Sequence, residues 1–170
     1  MQDEPGISSP VFFALLLFLA VFLIISPFVH EMGHIAAIRH SGCDYTIHRY
    51  QLSLLGGLEA STEIKCPLPL EVYPLILVSG SLSTFILGNF LLLCFFLFLR
   101  VRGKMCLKIF FLAQGFILHS MVYFFERGEF DLFLLLEGQG YSTGTLPVVG
   151  TVLIAMYLSL AYFSIKKYVA

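Results

Sequence analysis

Charged side chains are scarce in this chain of 170 residues, of which 12% are charged and 58% are hydrophobic. A soluble globular domain normally carries about 25% charged residues. The shortage indicates that a lipid bilayer, rather than water, surrounds much of the folded chain. There is also no basic block, and the net charge is −1, which argues against nucleic acid as a partner.

Cysteine patterns typical of metal sites and disulfide scaffolds are missing as well. The four cysteines, at positions 43, 66, 94 and 106, include no CxxC pair. Cys94 and Cys106 lie in or beside apolar runs, where a thiol usually behaves as a small hydrophobic side chain. The sequence therefore predicts neither a disulfide framework nor a cysteine-based zinc site.

Long apolar runs are what the chain has in abundance. About 20 apolar residues span the hydrocarbon core of a bilayer, and the runs predict helices over about 10–40, 72–99, 105–125 and 146–165. Segment 45–64 is rich in β-forming residues around a Gly-Gly turn, which predicts a small hairpin. We expect an all-α, multi-pass integral membrane protein of one domain (1–170), with about four transmembrane helices and this hairpin after the first.

The end of the first apolar run reads His30-Glu31-Met32-Gly33-His34. Residues four apart lie on one helix face, one turn apart, so the two imidazoles can share a metal ion. Glu31 is placed to accept a proton from the attacking water and pass it to the leaving amine. Such residues are costly inside a spanning helix and usually functional there. The motif favours zinc bound by His30 and His34, with Glu31 as general base, over a pair of packed histidines.

A catalytic zinc ion also needs a third protein ligand and one open position. Asp131 matches the depth of His30 if the first and third helices run in the same direction and rise about 1.5 Å per residue. His119 would lie roughly 18 Å from Asp131 along a continuous helix, which favours a packed or supporting role for it. We predict Asp131 as the third ligand, although a solvated helix end would look the same. The other candidates by position are Glu126, Glu129 and Glu137.

Three stretches in chain order, residues 29–42, 52–57 and 79–84, carry a family resemblance. The first is similar to an HExGH helix followed by a small-residue turn and a glycine. The second resembles the strand and double glycine that follow, and the third stands where a Gly-Pro-x-x-Asn segment is expected. The family they resemble is the site-2 protease family of intramembrane zinc metalloproteases (peptidase family M50). The resemblance implies a three-helix catalytic core, a zinc ion, and cleavage of substrates within their membrane-spanning segments.

The chain departs from this family in two places. Ser81 and Thr84 replace the proline and asparagine of the second helix. The family's third ligand lies in an Asn-x-x-Pro…Asp-Gly segment, but here Leu132 follows Asp131 where the glycine is expected. Glu137 is followed by glycine and preserves the local pattern better, with Glu for Asp. Depth favours Asp131 and local pattern favours Glu137, so Asp131 is the prediction and Glu137 the alternative.

A substrate helix must become extended before its peptide bonds can be attacked. The strand formed by Leu52, Ser53, Leu54 and Leu55 has a sheet edge that an unwound substrate could pair with. The alternative is a purely structural hairpin.

The motif and the resemblance together predict a zinc-dependent endopeptidase that cleaves membrane proteins within the lipid bilayer. The sequence indicates neither the particular membrane nor a regulator.

Other functions fit the sequence less well. A catalytically inactive, metal-binding membrane scaffold is the main alternative, because the asparagine, proline and glycine expected near the third ligand are missing. Histidines one turn apart on one helix cannot hold a haem from both sides. A transporter would be expected to show broken helices in repeated halves, and no repeat is found.

Overall fold

The structure, a computed structural model, describes residues 9–53, 57–67, 72–99, 106–125, 136–140 and 142–169. Within these residues the chain is mostly helical, with one small two-stranded sheet. The helices are α1 (Ser9–Ala20), α2 (Ser26–His40), α3 (Tyr73–Leu99), α4 (Cys106–Val122) and α5 (Leu146–Val169), and the strands are β1 (Tyr45–Ser53) and β2 (Gly57–Ile64). These bounds lie within a few residues of the predicted helices and hairpin.

The motif lies on a long apolar rod in which α1 and α2 are joined by a π-helical turn, Val21–Ile25. Pro27, in the first turn of α2, has no backbone N–H to donate to the turn before it. π-helical turns inside α-helices occur frequently at functional sites. The change between π-helical and α-helical hydrogen bonding therefore comes at the start of α2, about one turn before His30.

Three helices of the described chain are long and apolar enough to cross a membrane: Phe12–His40, Tyr73–Leu97 and Leu146–Phe163. Lys108–Val122, within α4, is apolar but shorter. Large hydrophobic side chains on the outer faces of the long helices are exposed, including Phe90 and Val152. An apolar exterior of this extent suits lipid rather than water, and indicates a membrane protein.

Helix α4 is the enclosed element of the bundle. Residues 113–117 are all buried, and α4 contacts α1, α3 and α5. Gly88 of α3 lies so close to α4 that a Cβ there would be 2.6 Å from Cγ1 of Ile117. Small residues at such crossings let transmembrane helices approach closely, and this packing brings the end of α4 beside α2.

The two strands form an antiparallel hairpin whose register runs from Tyr45 opposite Ile64 to Ser53 opposite Gly57. The register shifts between Ile47 and Arg49, where β1 carries one extra residue, as in a β-bulge. β1 has no second partner strand among the described residues. The hairpin predicted from β-forming residues is thus confirmed.

The prediction of no disulfide is wrong for one pair, because Cys43 and Cys66 are joined, with Cα atoms 5.7 Å apart. Cys43 lies two residues before Tyr45 and Cys66 lies two residues after its partner Ile64, so hairpin pairing brings the cysteines face to face. The sequence signal for this disulfide was the equal distance of the two cysteines from the ends of the hairpin, rather than a CxxC pattern. Cys94 is a free thiol, as predicted.

This disulfide should stabilise the chain measurably. It closes a loop over a sequence separation of 23 residues, for which chain entropy predicts a contribution of about 3 kcal/mol. We expect Cys43→Ser to lower the midpoint of thermal unfolding in detergent by several degrees. Cys94→Ser, at the free cysteine, is the control and should change the midpoint little. Equal midpoints for wild type and Cys43→Ser would contradict the expectation.

Candidate metal centre

His30 and His34 face each other from successive turns of α2. Both are buried, at 4% and 9% exposure, and their Nε2 atoms are 2.9 Å apart. One ligand atom each from His30, Glu31 and His34 lie within 4.8 Å of one another. The predicted arrangement of two imidazoles on one helix face, with a carboxylate beside them, is therefore present.

The tautomer of His34 is set by α3. Its Nδ1 lies 2.7 Å from the carbonyl oxygen of Ile76, and a carbonyl can only accept, so Nδ1 carries the proton and donates it. The lone pair of His34 is then on Nε2, the atom that faces His30. Metal-binding histidines are typically oriented in this way, with the second ring nitrogen bonded to a carbonyl or carboxylate. The hydroxyl of Ser79 lies 3.4 Å from the same Nδ1.

Glycines on both helices make this close crossing of α2 and α3 possible. A Cβ on Gly33 would lie 2.5 Å from the carbonyl oxygen of Ser79. The hydroxyl of Ser83 donates to the carbonyl of Val29 at 3.1 Å, which adds a polar bond across the crossing. The small residues of 79–84 therefore allow α3 to pack closely against the face of α2 that carries His30 and His34.

Gly80 packs directly against both imidazoles. A Cβ at this position would lie 2.6 Å from Nε2 of His30 and still closer to Nε2 of His34. A methyl group there would displace the two nitrogens from their present positions. Two convergent imidazole nitrogens, one of them oriented by a backbone carbonyl, are donors of the kind that zinc binds.

The other face of His30 packs against α4 and the turn that follows it. The ring of Tyr123 is stacked on His30, with centroids 4.4 Å apart and planes 4° from parallel. His119 lies edge-on, 6.0 Å from His30 by ring centroids, and is buried. His119 is therefore packed beside His30, and a supporting role for it stays a prediction. Sequence reasoning missed Tyr123, although it lies four residues after His119, the same spacing as the histidine pair.

Two buried polar side chains of α4 have nitrogen or oxygen atoms without hydrogen-bond partners within the described part of the chain. They are Gln114, at both side-chain atoms, and His119, at Nε2. Polar groups within membrane-spanning regions are expensive and usually mark functional interiors. Both side chains are buried on α4, whose last turn carries His119 beside His30.

Within the part of the chain that the structure describes, none of the predicted third ligands lies in the group formed by His30, Glu31 and His34. Asp131, Glu126 and Glu129 lie outside the described residues, so the prediction of Asp131 stays a prediction. Glu137 is described, is exposed, and is not part of the group formed by His30, Glu31 and His34.

The predicted substrate strand is described only in part. Leu52 and Ser53 belong to β1, where they pair with Leu58 and Gly57 of β2. Leu54 and Leu55 lie outside the described residues. Pairing of a substrate along this edge therefore stays a prediction.

Comparison of the chain with family models, with curated proteins and with solved structures finds no match. The geometry of the site is two convergent imidazole nitrogens, one of them oriented by a backbone carbonyl, with a carboxylate beside them on an apolar rod.

Proposed function

We propose that the chain is an intramembrane zinc metalloprotease, which hydrolyses peptide bonds in or near transmembrane segments of membrane proteins. The observation that carries the proposal is the convergence of His30 and His34, whose Nε2 atoms lie 2.9 Å apart, beside the carboxylate of Glu31. Two packed core histidines would need no carboxylate as close as Glu31.

Each residue of the group has a distinct task in this proposal. His30 and His34 would hold the zinc ion, with Asp131 as the third ligand. When bound, zinc supplies Lewis-acid chemistry, which polarises a peptide carbonyl and acidifies water. Glu31 takes the proton of the attacking water and delivers it to the amine of the departing peptide. Ile76 holds His34 in the tautomer that leaves Nε2 free for the metal.

The membrane architecture follows from the same proposal. α4 would be a fourth span, and the α1–α2 rod, α3 and α4 would make up the three-helix core around the metal. Hydrolysis needs water, so these helices would enclose a polar interior, which is in keeping with the buried Gln114 and His119. An unwound substrate would pair along the unpartnered edge of β1.

A catalytically inactive metal-binding scaffold is the second candidate. The observation that favours it is that, within the described residues, the three metal-binding groups all come from α2. A catalytic zinc ion normally has three protein ligands, and the general base is not one of them. If Glu31 itself binds the metal, the centre has no base left on α2.

Metal analysis and a cleavage assay on the purified full chain test the proposal. We expect equimolar zinc, loss of cleavage of a membrane-spanning reporter after chelation, and recovery when zinc is returned. Asp131→Ala should lose the metal and Glu137→Ala should keep it. Bound zinc without cleavage would favour the scaffold, and a chain that binds no zinc would exclude both candidates.

A further inference from the structure

The base of the hairpin and the metal centre share one residue, Ile76. Its side chain, 4% exposed, belongs to a hydrophobic cluster with Ala37, Ile38 and Cys43. We call this the base cluster; partly buried side chains packed against it are Tyr45, Ile64, Cys66 and Val72. The cluster joins the last turns of α2, the hairpin and the first turn of α3.

The backbone of Ile76 faces the metal centre. Its carbonyl oxygen accepts the Nδ1 proton of His34 at 2.7 Å and the hydroxyl proton of Ser79 at 2.7 Å. Ile76 is in the first turn of α3, and its side chain is packed in the base cluster. The packing of its side chain therefore helps to fix where this carbonyl points.

The Cys43–Cys66 disulfide stands on the far side of the same cluster. Cys43 is 8% exposed and belongs to the cluster, and Cys66 packs against it. The amide of Cys43 also donates to the carbonyl of Ile38, 3.2 Å away at the end of α2. The crosslink thus ties the chain that leaves α2 to the chain that approaches α3, and both helices contribute to the centre.

We propose that the Cys43–Cys66 disulfide is a positioning element for the metal centre. By holding the base cluster closed it keeps the Ile76 carbonyl on Nδ1 of His34, and so keeps Nε2 directed at the metal. Reduction by a dithiol breaks the S–S bond, leaves each cysteine with a proton as a thiol, and oxidises the dithiol to a disulfide. Metal affinity then depends on the thiol–disulfide state. This inference rests on the proposed metal binding but not on catalysis.

Removal of a group that orients a metal-bound histidine commonly lowers metal affinity by about 10- to 100-fold. Here the carbonyl is displaced rather than deleted, so the lower end of the range applies. We expect the zinc Kd of the full chain in detergent to rise about tenfold. The change should appear in reduced wild type, in Cys43→Ser and in Cys66→Ser alike.

Zinc competition against a chromophoric chelator measures this Kd. The wild type is compared before and after treatment with a phosphine reductant, which is removed before the titration. Mass spectrometry after alkylation reports whether the disulfide is intact. Cobalt substitution adds a second reading, because its visible spectrum reports on ligand geometry and should change on reduction.

Two matched variants separate positioning from plain loss of stability. Leu92→Ala opens the other hydrophobic core, between α3, α4 and α5, and should lower the unfolding midpoint while the zinc Kd stays the same. Ile76→Ala keeps the carbonyl but shrinks the base cluster, and should raise the Kd with the disulfide intact. Cys94→Ser should change neither quantity.

An unchanged Kd and cobalt spectrum in reduced wild type, with both thiols alkylated, would overturn the inference. That result leaves the proposed function standing, because the wild type would still bind zinc. If oxidised wild type binds no zinc, the proposed function fails and the inference fails with it. A Leu92→Ala Kd raised as much as that of Cys43→Ser would show general destabilisation and also count against positioning.

Discussion

Glu31→Gln is expected to keep zinc bound and to abolish most cleavage. The side chain has nearly the same shape, but an amide cannot take a proton from the attacking water. General acid–base catalysis contributes about 10²–10⁴-fold to rates, so cleavage of a membrane-spanning reporter should fall by that factor. Since the reacting group is lost and the fold is not, the unfolding midpoint should change little.

The control for this substitution is Glu63→Gln, the same change at an exposed carboxylate in β2. It should cleave at the wild-type rate. Metal content distinguishes two ways in which Glu31→Gln could contradict the expectation. Loss of zinc would make Glu31 a ligand, as the scaffold alternative requires, and full cleavage with zinc retained would remove Glu31 from the mechanism.

The elements of the fold were predictable because their signals are local. The apolar runs predicted all four long helical segments to within a few residues, and β-forming residues around the Gly-Gly turn predicted the hairpin. The pairing of His30 with His34 was also local, since the helical repeat alone places them on one face. Such features depend on neighbours within one or two turns of the chain.

The disulfide and the contacts of His30 instead join residues that are distant in the sequence. Cys43 and Cys66 meet only because the hairpin register places them opposite each other. Tyr123 stacks on His30 across 93 positions of sequence, through the packing of α4 against the rod. These contacts are set by how helices approach each other, and helices that are apolar on all sides carry no periodic signal for that choice.

The α3 residues that contact the histidine pair could not be predicted from local sequence either. Small residues allow close packing of transmembrane helices in general, but nothing local showed that Gly80 would face the two imidazoles or that Ile76 would orient His34. The positions of α3 that stand out in the family resemblance are Ser81 and Thr84, which replace a proline and an asparagine. The structure instead brings Gly80 and Ser79, on neighbouring positions, to the histidine pair.

Gly80→Ala is therefore the second substitution with a large expected effect. Alanine is a better helix former than glycine by about 1 kcal/mol, so the helix itself would gain. The new Cβ, however, would lie 2.6 Å from Nε2 of His30 and closer to that of His34. The rings cannot easily move away, because Tyr123 stacks on one and the Ile76 carbonyl binds the other. We expect zinc affinity to fall by more than about 100-fold, beyond the usual effect of a supporting residue, and cleavage to be lost with it.

Gly88→Ala is the matched control on the same helix. Its Cβ would lie 2.6 Å from Cγ1 of Ile117 on α4, so the clash is as close but far from the histidines. Overpacking of this kind costs about 1–3 kcal/mol, which should lower the unfolding midpoint while zinc remains bound. Comparison of the two variants by metal analysis separates exclusion of the ion from a general packing defect. Zinc bound by Gly80→Ala as tightly as by wild type would mean that the ion does not lie between the two Nε2 atoms, and the centre would have to be placed elsewhere.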